Sequence, residues 1–588
     1  MGSSRILLAT CSLAKRWIPT IDKVNGHYPL GIGYLHACLE RAGHEVHTLF
    51  LNHIYDDECL QRILDEIMSF KPTVLGLSII SDSRVSSFRV VEYVHAHFPH
   101  IQIILGGVHV TTLADQIARR FPFCTLALGE AEETICDLVE ALEAGCDRRQ
   151  VKGIAYFEND QVVHTEVRAL IEDLDSLPYP KHEVFFNDQR VVAQVLTSRG
   201  CPCSCTFCVL DSFSRHKVRF RSPQSVVDEI EYLLQRFPQV STIQILDDQF
   251  FADNQRVIEI CDEIVRRKIH CRFECSGRFR PLSREMIIAL ERAGVESVYL
   301  GLESGSRSVL KKAKKGIVPE DAIKAMEMFA GSNIDVFVLL IVGLPGESIE
   351  SILETARLIQ RMQKIKYHMY TNRVQTIFVY PGSELYEMCK QGGSLNDEFW
   401  LSEADVPYYT VEHNETELKV FREILLTYIS PVRLTTPGGL AAQRYLLPEI
   451  LHFCFHRRDL QPFANLVRHA TRELVEEGCL SFTMHPTWAA KMQTDGCIYT
   501  THLSRESGST GQYQVDFKKV SLQDAVDRLV EFAFQTGYRE VTDKVVRRVD
   551  QLLTDYVEHV QGPDNLLHRL GFTQEWMRTW VSTINLRL

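Results

Sequence analysis

Gly200-Cys201-Pro202-Cys203-Ser204-Cys205-Thr206-Phe207-Cys208 carries three cysteines at Cys-x3-Cys-x2-Cys spacing. Thiolates this close together on one loop are the ligand pattern of an iron–sulfur cubane, in which three irons are held and the fourth keeps an open position. Cys203 is an additional thiol that leaves the spacing intact. A structural zinc site is the rival reading. It needs four ligands, usually as two cysteine pairs, and the nearest second pair is Cys271 with Cys275. Their flanking pattern is that of a strand, where i and i+4 share a face but stand too far apart for one metal. Those two are better read as packed core thiols.

Working outward, a strand over residues 191–197 feeds the loop. A helix follows, with Ser222 as N-cap, Pro223 in the first turn, and Val226, Val227, Ile230, Leu233 and Leu234 on one face. Strand and helix then alternate to about residue 385, with strands expected over 242–246, 272–276, 297–301, 336–341 and 374–380. Six strands of this kind make an open (β/α)6 partial TIM barrel with its chemistry at the C-terminal strand ends. Those ends carry Asp247-Asp248, Ser276-Gly277-Arg278, Gly301-Leu302-Glu303-Ser304-Gly305, Gly343-Leu344-Pro345-Gly346-Glu347 and Tyr380-Pro381-Gly382-Ser383. Lys311, Lys312, Lys314 and Lys315 read as a solvated helix end.

Upstream, the first 150 residues also alternate. Strands are expected over 6–9, 45–50, 74–80 and 101–105, with helices over 31–42, 59–70 and 86–97. This is an α/β, doubly wound parallel sheet whose ligand belongs at the C-terminal strand ends. Ser78-Ile79-Ile80 closes one strand, and Gly106-Gly107 closes the next, letting a bulky planar ligand approach the backbone. A hairpin is expected over 153–166 around Asn159-Asp160, and then an extended linker locked by Pro178 and Pro180.

Taken together these motifs resemble the cobalamin-dependent (class B) radical S-adenosylmethionine (SAM) methyltransferases. Cys201, Cys205 and Cys208 match the signature that binds a [4Fe–4S] cluster, with SAM on its open iron. The serine and glycine-glycine elements, Pro29-Leu30-Gly31, His109 and Gly129-Glu130-Ala131-Glu132-Glu133-Thr134 resemble the N-terminal cobalamin-binding Rossmann-like domain. The resemblance implies SAM contacts from Phe207, Asp247, Ser276, Arg278, Glu303, Gly343 and Pro345, and cobalamin contacts from Ser78, Ile80, Gly106, Gly107, His109, Gly129 and Glu130. One departure matters. The first strand runs into Thr10-Cys11-Ser12-Leu13-Ala14-Lys15, without the Asp-x-His-x-x-Gly that supplies a lower cobalt ligand in many cobalamin proteins. Water or nothing is then expected below cobalt; His109 is read as a loop residue at the cofactor's periphery and Arg84 as a neighbour of the lower face.

The resemblance covers about residues 1–395: a cobalamin-binding domain over 1–150, a linker over 151–190 and the partial barrel over 191–395. Residues 396–588 read as a mainly α-helical domain that closes the barrel and shapes the substrate pocket. Helices are expected over 417–429, 446–456 and 461–477. A small hairpin is expected over 496–519, and a further helix opens at Ser521-Leu522-Gln523-Asp524, with Leu522, Val526, Leu529, Val530 and Ala533 as its core face. His452, Cys454 and His456 alternate there, and i and i+2 on a helix point apart, so a shared metal is not expected.

The totals limit the alternatives. In 588 residues, 45% are hydrophobic, no run is long enough to span a bilayer, and the run Arg5-Ile6-Leu7-Leu8-Ala9 lacks a cleavage-site pattern. The formal net charge of −12 argues against nucleic acid as a partner. Seventeen cysteines in so long a chain read as reduced, cytoplasmic thiols. The resemblance implies an enzyme that moves methyl from SAM, via methylcobalamin, to an unactivated carbon of a small-molecule or natural-product substrate. A 5′-deoxyadenosyl radical opens the C–H bond, and an external donor such as flavodoxin or ferredoxin supplies the electron. No residue is assigned as catalytic, since no general base is required. The alternatives are a cobalamin-binding radical SAM cyclase or ring-rearranging enzyme, a polar or non-methyl SAM transferase, and a cofactor-based sensor without turnover.

Overall fold

Ile6, Leu7, Leu8 and Ala9 are each at most 1% exposed, the burial expected of a central strand covered on both faces. The computed structural model describes residues 4–15, 18, 22–366, 368–371, 374–405, 410–429 and 461–479, with short stretches between 482 and 570.

The first sheet is built from β1 (Arg5–Thr10), α1 (Leu30–Arg41), β2 (Glu45–Phe50), α2 (Asp56–Phe70), β3 (Val74–Ser78), α3 (Arg84–His97), β4 (Gln102–Gly106), α4 (Val108–Thr112), α5 (Ala114–Arg120), β5 (Thr125–Ala127) and α6 (Glu132–Ala144). Its order is β2-β1-β3-β4-β5, all parallel. A hairpin of β6 (Ile154–Glu158) and β7 (Gln161–His164) extends it antiparallel beyond β5. Asn159 and Asp160 turn that hairpin with φ of 49° and 61°, the left-handed pair that a two-residue turn requires. β3 ends at Ser78, two residues before the expected limit. Ile79 still donates to the Gly106 carbonyl at 2.8 Å, but the Ile80 N–H turns to Ser83 Oγ at 3.2 Å.

The second sheet starts with β8 (Val192–Val195), then the short antiparallel pair β9 (Ser198–Arg199) and β10 (Arg219–Phe220) around α7 (Asp211–Ser214). It continues with α8 (Pro223–Arg236), β11 (Thr242–Ile245), α9 (Asn254–Arg266), β12 (Arg272–Arg278), α10 (Arg284–Arg292), β13 (Val295–Glu303), α11 (Arg307–Lys312), α12 (Pro319–Phe329), β14 (Asp335–Val342) and α13 (Ile349–Ile365). β15 (Met369–Tyr370) and β16 (Val374–Thr376) both pair with β14. The order β8-β11-β12-β13-β14-β15 is parallel and open. Of the strand expected over 374–380, Val374–Thr376 pairs with β14, and Met369–Tyr370 pairs with it ahead of that span. Ser222 caps α8 by accepting from Ser225 N at 3.2 Å, and α8 buries Val226, Val227, Ile230 and Leu233.

α14 (Glu384–Gln391), α15 (Asp397–Leu401) and α16 (Glu415–Ile429) follow. The chain divides into two compact units, Met1–Arg422 and Glu423–Leu588. In the second, the helix Gln461–Glu476 matches its expected span, and Phe482–Met484, Tyr513–Val515 and Leu503–Arg505 form a small antiparallel sheet. The helix expected over 446–456 with His452, Cys454 and His456, the capping box at Ser521, and Leu522, Val526, Leu529 and Ala533 lie outside the described residues. Among the described residues no helix is long and apolar enough to cross a membrane.

Candidate active site

The cysteine loop leaves β8 and is held from below by the two aspartates that end β11. Asp247 accepts from Thr197 N at 2.6 Å, Thr197 Oγ1 at 2.5 Å and Ser198 Oγ at 2.6 Å. Asp248 accepts from Gly200 N at 3.1 Å. Burial raises both carboxyls above their ordinary range. Gly200 has a φ of +95°, and a Cβ there would stand 2.1 Å from the Lys217 carbonyl oxygen, so only glycine lets the loop pass. Further along, Thr206 donates to the Ala313 carbonyl at 3.1 Å and accepts from Leu385 N at 2.8 Å, and Cys208 N donates to Cys205 O at 3.0 Å. The loop backbone is therefore anchored from β11, α11 and α14.

The thiols face cations. Arg278 Nη1 lies 3.2 Å from Cys205 Sγ. A hydrogen bond from Cys201 lowers Cys203 to about 6, with Arg278 and Lys315 adding to the effect, while Cys201 is pushed up by the same bond and by burial. Among the described residues no three or more His, Cys, Asp or Glu side chains stand in metal-holding geometry. The donor set nevertheless fits a cubane: three thiols on one anchored loop, with basic side chains to balance thiolate charge.

The other expected SAM residues fall into two groups. Phe207, Ser276, Arg278, Gly343 and Pro345 all stand on strand ends or turns of one side of the second sheet. Ser276 Oγ donates to the Asp247 carbonyl at 3.3 Å. Gly343, φ +102°, donates to the Glu347 carboxyl, which burial raises to about 8. Two carboxylates are already engaged. Asp247 holds the loop as described. Glu303, at a φ of +68°, meets Lys315 Nζ at 2.7 Å. Lys315 is only 5% exposed and lies 5.8 Å over the Phe207 ring, which corrects its reading as part of a solvated helix end. Sequence spacing gave no sign of this, because Lys315 follows three exposed lysines and is turned inward by Lys314 (φ 51°) and Gly316 (φ 73°).

In the first sheet, Ser78 lies beside Gly106 in register. Gly107 has a φ of +96°, and a Cβ there would sit 2.6 Å from the Ile79 carbonyl oxygen. Its lack of a side chain serves the approach of its own neighbouring strand. Ile80 and Val108 are 41% and 36% exposed at the same strand ends, and a Cβ at Gly129 would meet nothing within 4 Å. Exposed apolar side chains around an open backbone turn fit the face of a flat corrin. His109 differs from its expected place. It is fully buried in α4, bonded to Ser81 Oγ at 3.0 Å, and its ring meets Trp400 edge-on at 5.9 Å between centroids. Burial, reinforced by Arg84, lowers it to about 3. Arg84 is likewise buried, donating to Ser81 O at 3.0 Å with its guanidinium 5.1 Å from the Trp400 ring centre.

Glu130 is also spoken for, bonded by Arg219, Arg199 and the Ile171 N–H. Arg199 reaches Glu132 as well, at 2.7 Å. Tyr380 Oη donates to Asp82 at 2.8 Å, and Gly382 packs on Thr112. These contacts join the C-terminal strand ends of the first sheet to those of the second, a juxtaposition that no local pattern reveals.

Residues 195–359 match the radical SAM superfamily, and residues 21–139 match the B12 binding domain. An uncharacterized methyltransferase of Pyrococcus horikoshii is 26% identical over 432 residues, 72% of this chain and 91% of that protein. An anaerobic magnesium-protoporphyrin IX monomethyl ester cyclase of Rubrivivax gelatinosus is 28% identical over 344 residues, 56% of this chain and 61% of the cyclase. Among solved structures, the methyltransferase TsrM of Kitasatospora setae, with cobalamin and a [4Fe–4S] cluster bound, superposes with a TM-score of 0.55 at 18% identity, covering 67% of this chain and 76% of that one. OxsB, with aqua-cobalamin and SAM bound, gives 0.58 at 15% identity over 100% of this chain and 85% of that one. At such identities the likeness is one of fold. The chain thus joins a B12 binding domain to a radical SAM domain that contains the cysteine loop, with cobalamin, SAM and a [4Fe–4S] cluster as the cofactors these two domains imply.

Proposed function

We propose that the protein is a C-methyltransferase that moves a methyl group from SAM to an unactivated carbon of a small-molecule substrate. The observation that carries this reading is the joining of the two sets of C-terminal strand ends by Glu130 with Arg219 and Tyr380 with Asp82. Two cofactors that must act on one substrate carbon need their binding faces held opposite each other. When bound, the cluster and SAM supply hydrogen-atom abstraction, and the cobalamin supplies the methyl group.

The chain's own residues then position and enclose. Cys201, Cys205 and Cys208 hold the cluster, while Asp247 and Asp248 keep their loop in shape. Phe207, Ser276, Arg278, Gly343 and Pro345 surround SAM, with Glu303 and Lys315 closing that side. Ser78, Ile80, Gly106, Gly107 and Gly129 offer the corrin surface. Arg199, Arg219, Glu130 and Glu132 form a polar seam between the two faces, excluding water from the space where reactive species form. Ring formation is the second reading, supported by the similarity to the Rubrivivax cyclase. An external one-electron donor is required by either.

The test is anaerobic purification with supplied iron, sulfide and hydroxocobalamin, followed by metal analysis and reaction with methyl-labelled SAM under reducing conditions. About four irons and one cobalt per chain are expected, with iron lost in Cys201→Ala and kept in Cys203→Ser. Label in product favours methylation, unlabelled cyclised product favours the second reading, and absence of cobalt overturns the two-cofactor scheme.

A further inference from the structure

Lys315 is a buried cation that the family resemblance does not assign. Its ammonium meets Glu303 at 2.7 Å and stands 5.8 Å from the ring centre of Phe207, whose chain neighbour is Cys208. Arg278 reaches Cys205 Sγ at 3.2 Å, and its other terminal nitrogen lies toward Gly316, next to Lys315. Two cations thus flank the cysteine loop, one of them opposed by a single carboxylate. Lys315 and Glu303 are 5% and 8% exposed, so the pair is held out of water beside the loop.

Buried charges act over several ångströms because little water screens them. Reducing an iron–sulfur cluster adds negative charge, so a nearby cation favours the reduced state and a nearby anion opposes it, and charge and hydrogen bonds near the sulfurs are main determinants of cluster potential. We propose that the Lys315–Glu303 pair sets the reduction potential of the cluster held by Cys201, Cys205 and Cys208, with Lys315 raising it and Glu303 holding that effect in check. This rests on the cluster reading above. Here Lys315 is a positioning residue for electron density. It touches neither substrate nor the reacting carbon.

The experiment is a reductive titration of the full-length, reconstituted, SAM-free protein, followed by electron paramagnetic resonance, with iron and sulfide measured for each sample. Lys315→Gln is expected to shift the midpoint to a more negative potential, and Glu303→Gln to a more positive one, at unchanged iron content. Opposite signs from two partners of one ion pair are the mark of an electric field, since loss of structure alone would move both the same way. Unchanged midpoints, or shifts of the same sign, overturn the proposal. If Lys315→Gln does not fold, Glu303→Gln decides alone: a positive shift supports the proposal, and an unchanged or negative one overturns it. Absence of iron from the unsubstituted protein overturns the cluster reading itself, whereas a loaded protein with flat midpoints overturns only the role of the pair.

Discussion

Arg219 holds Glu130 with both terminal nitrogens, Nη2 to Oε1 at 2.7 Å and Nη1 to Oε2 at 2.8 Å. One partner lies on β10, in the hairpin that flanks the cysteine loop; the other lies at the entrance to α6 of the cobalamin-binding sheet. Such a two-bond, charge-assisted contact fixes orientation as well as distance.

Breaking that contact is expected to loosen the two sheets. Burial pushes the Glu130 carboxyl up, but Arg219 and Arg199 outweigh it and leave it below its ordinary value. A carboxylate depressed in the folded state stabilises at pH above its unfolded value, about 4.3, and that contribution is lost as pH falls through the folded value. Glu130→Gln should cost about 2 kcal/mol at neutral pH and flatten the loss of stability below about pH 4. Urea unfolding of both proteins across pH checks this, and identical acid profiles would rule it out.

Asp247→Ala is expected to free the Thr197 and Ser198 donors and release the loop above them. Leaving buried donors unpaired costs about 1–3 kcal/mol. The sharper readout is iron: the substituted protein should retain far less cluster than the parent after identical reconstitution. Full iron loading would show that the loop does not depend on this carboxylate.

Gly107 and Gly129 both have positive φ, yet their surroundings differ. An alanine at 107 meets Ile79 backbone at 2.6 Å, while one at 129 meets nothing within 4 Å. Gly107→Ala should cost about 3 kcal/mol, combining left-handed strain with overpacking. Gly129→Ala should cost about 1 kcal/mol. Thermal or urea unfolding of the two variants distinguishes them, and equal costs would contradict the packing account.

His109 ties acid sensitivity to the cobalamin-binding sheet. Its folded value is lowered to about 3, against about 6.5 in an unfolded chain. The unfolded state therefore binds the extra proton between those limits, and stability is expected to fall as pH drops from about 6.5 toward 3. At pH 5 the loss is at most about 2 kcal/mol. His109→Gln should remove that part of the pH dependence, measured as the difference in unfolding free energy between pH 7 and pH 5.

Local pattern was sufficient for much of this. Periodicity over residues 6–9, 31–42 and 45–50 located strands and a helix within a residue or two, because parallel strands and amphipathic helices are specified by short-range repeats. Ser222 and Pro223 marked the start of α8 for the same reason. The end of the second sheet was less legible: Met369 and Tyr370 pair with β14 outside the expected span of 374–380, and within that span only Val374, Gln375 and Thr376 do.

By itself the amino-acid sequence determined the two parallel sheets, the thiol loop and the strand ends where ligands belong, since each follows from spacing along a few consecutive residues. The tertiary structure alone decided which polar groups at those ends remain available. Asp247, Glu130 and Glu303 look alike in sequence as carboxylates at strand ends. In the fold one pins a loop, one bridges two sheets and one pairs with a buried lysine. Those partners are 50, 89 and 12 residues away along the chain, and packing brings them within a hydrogen bond.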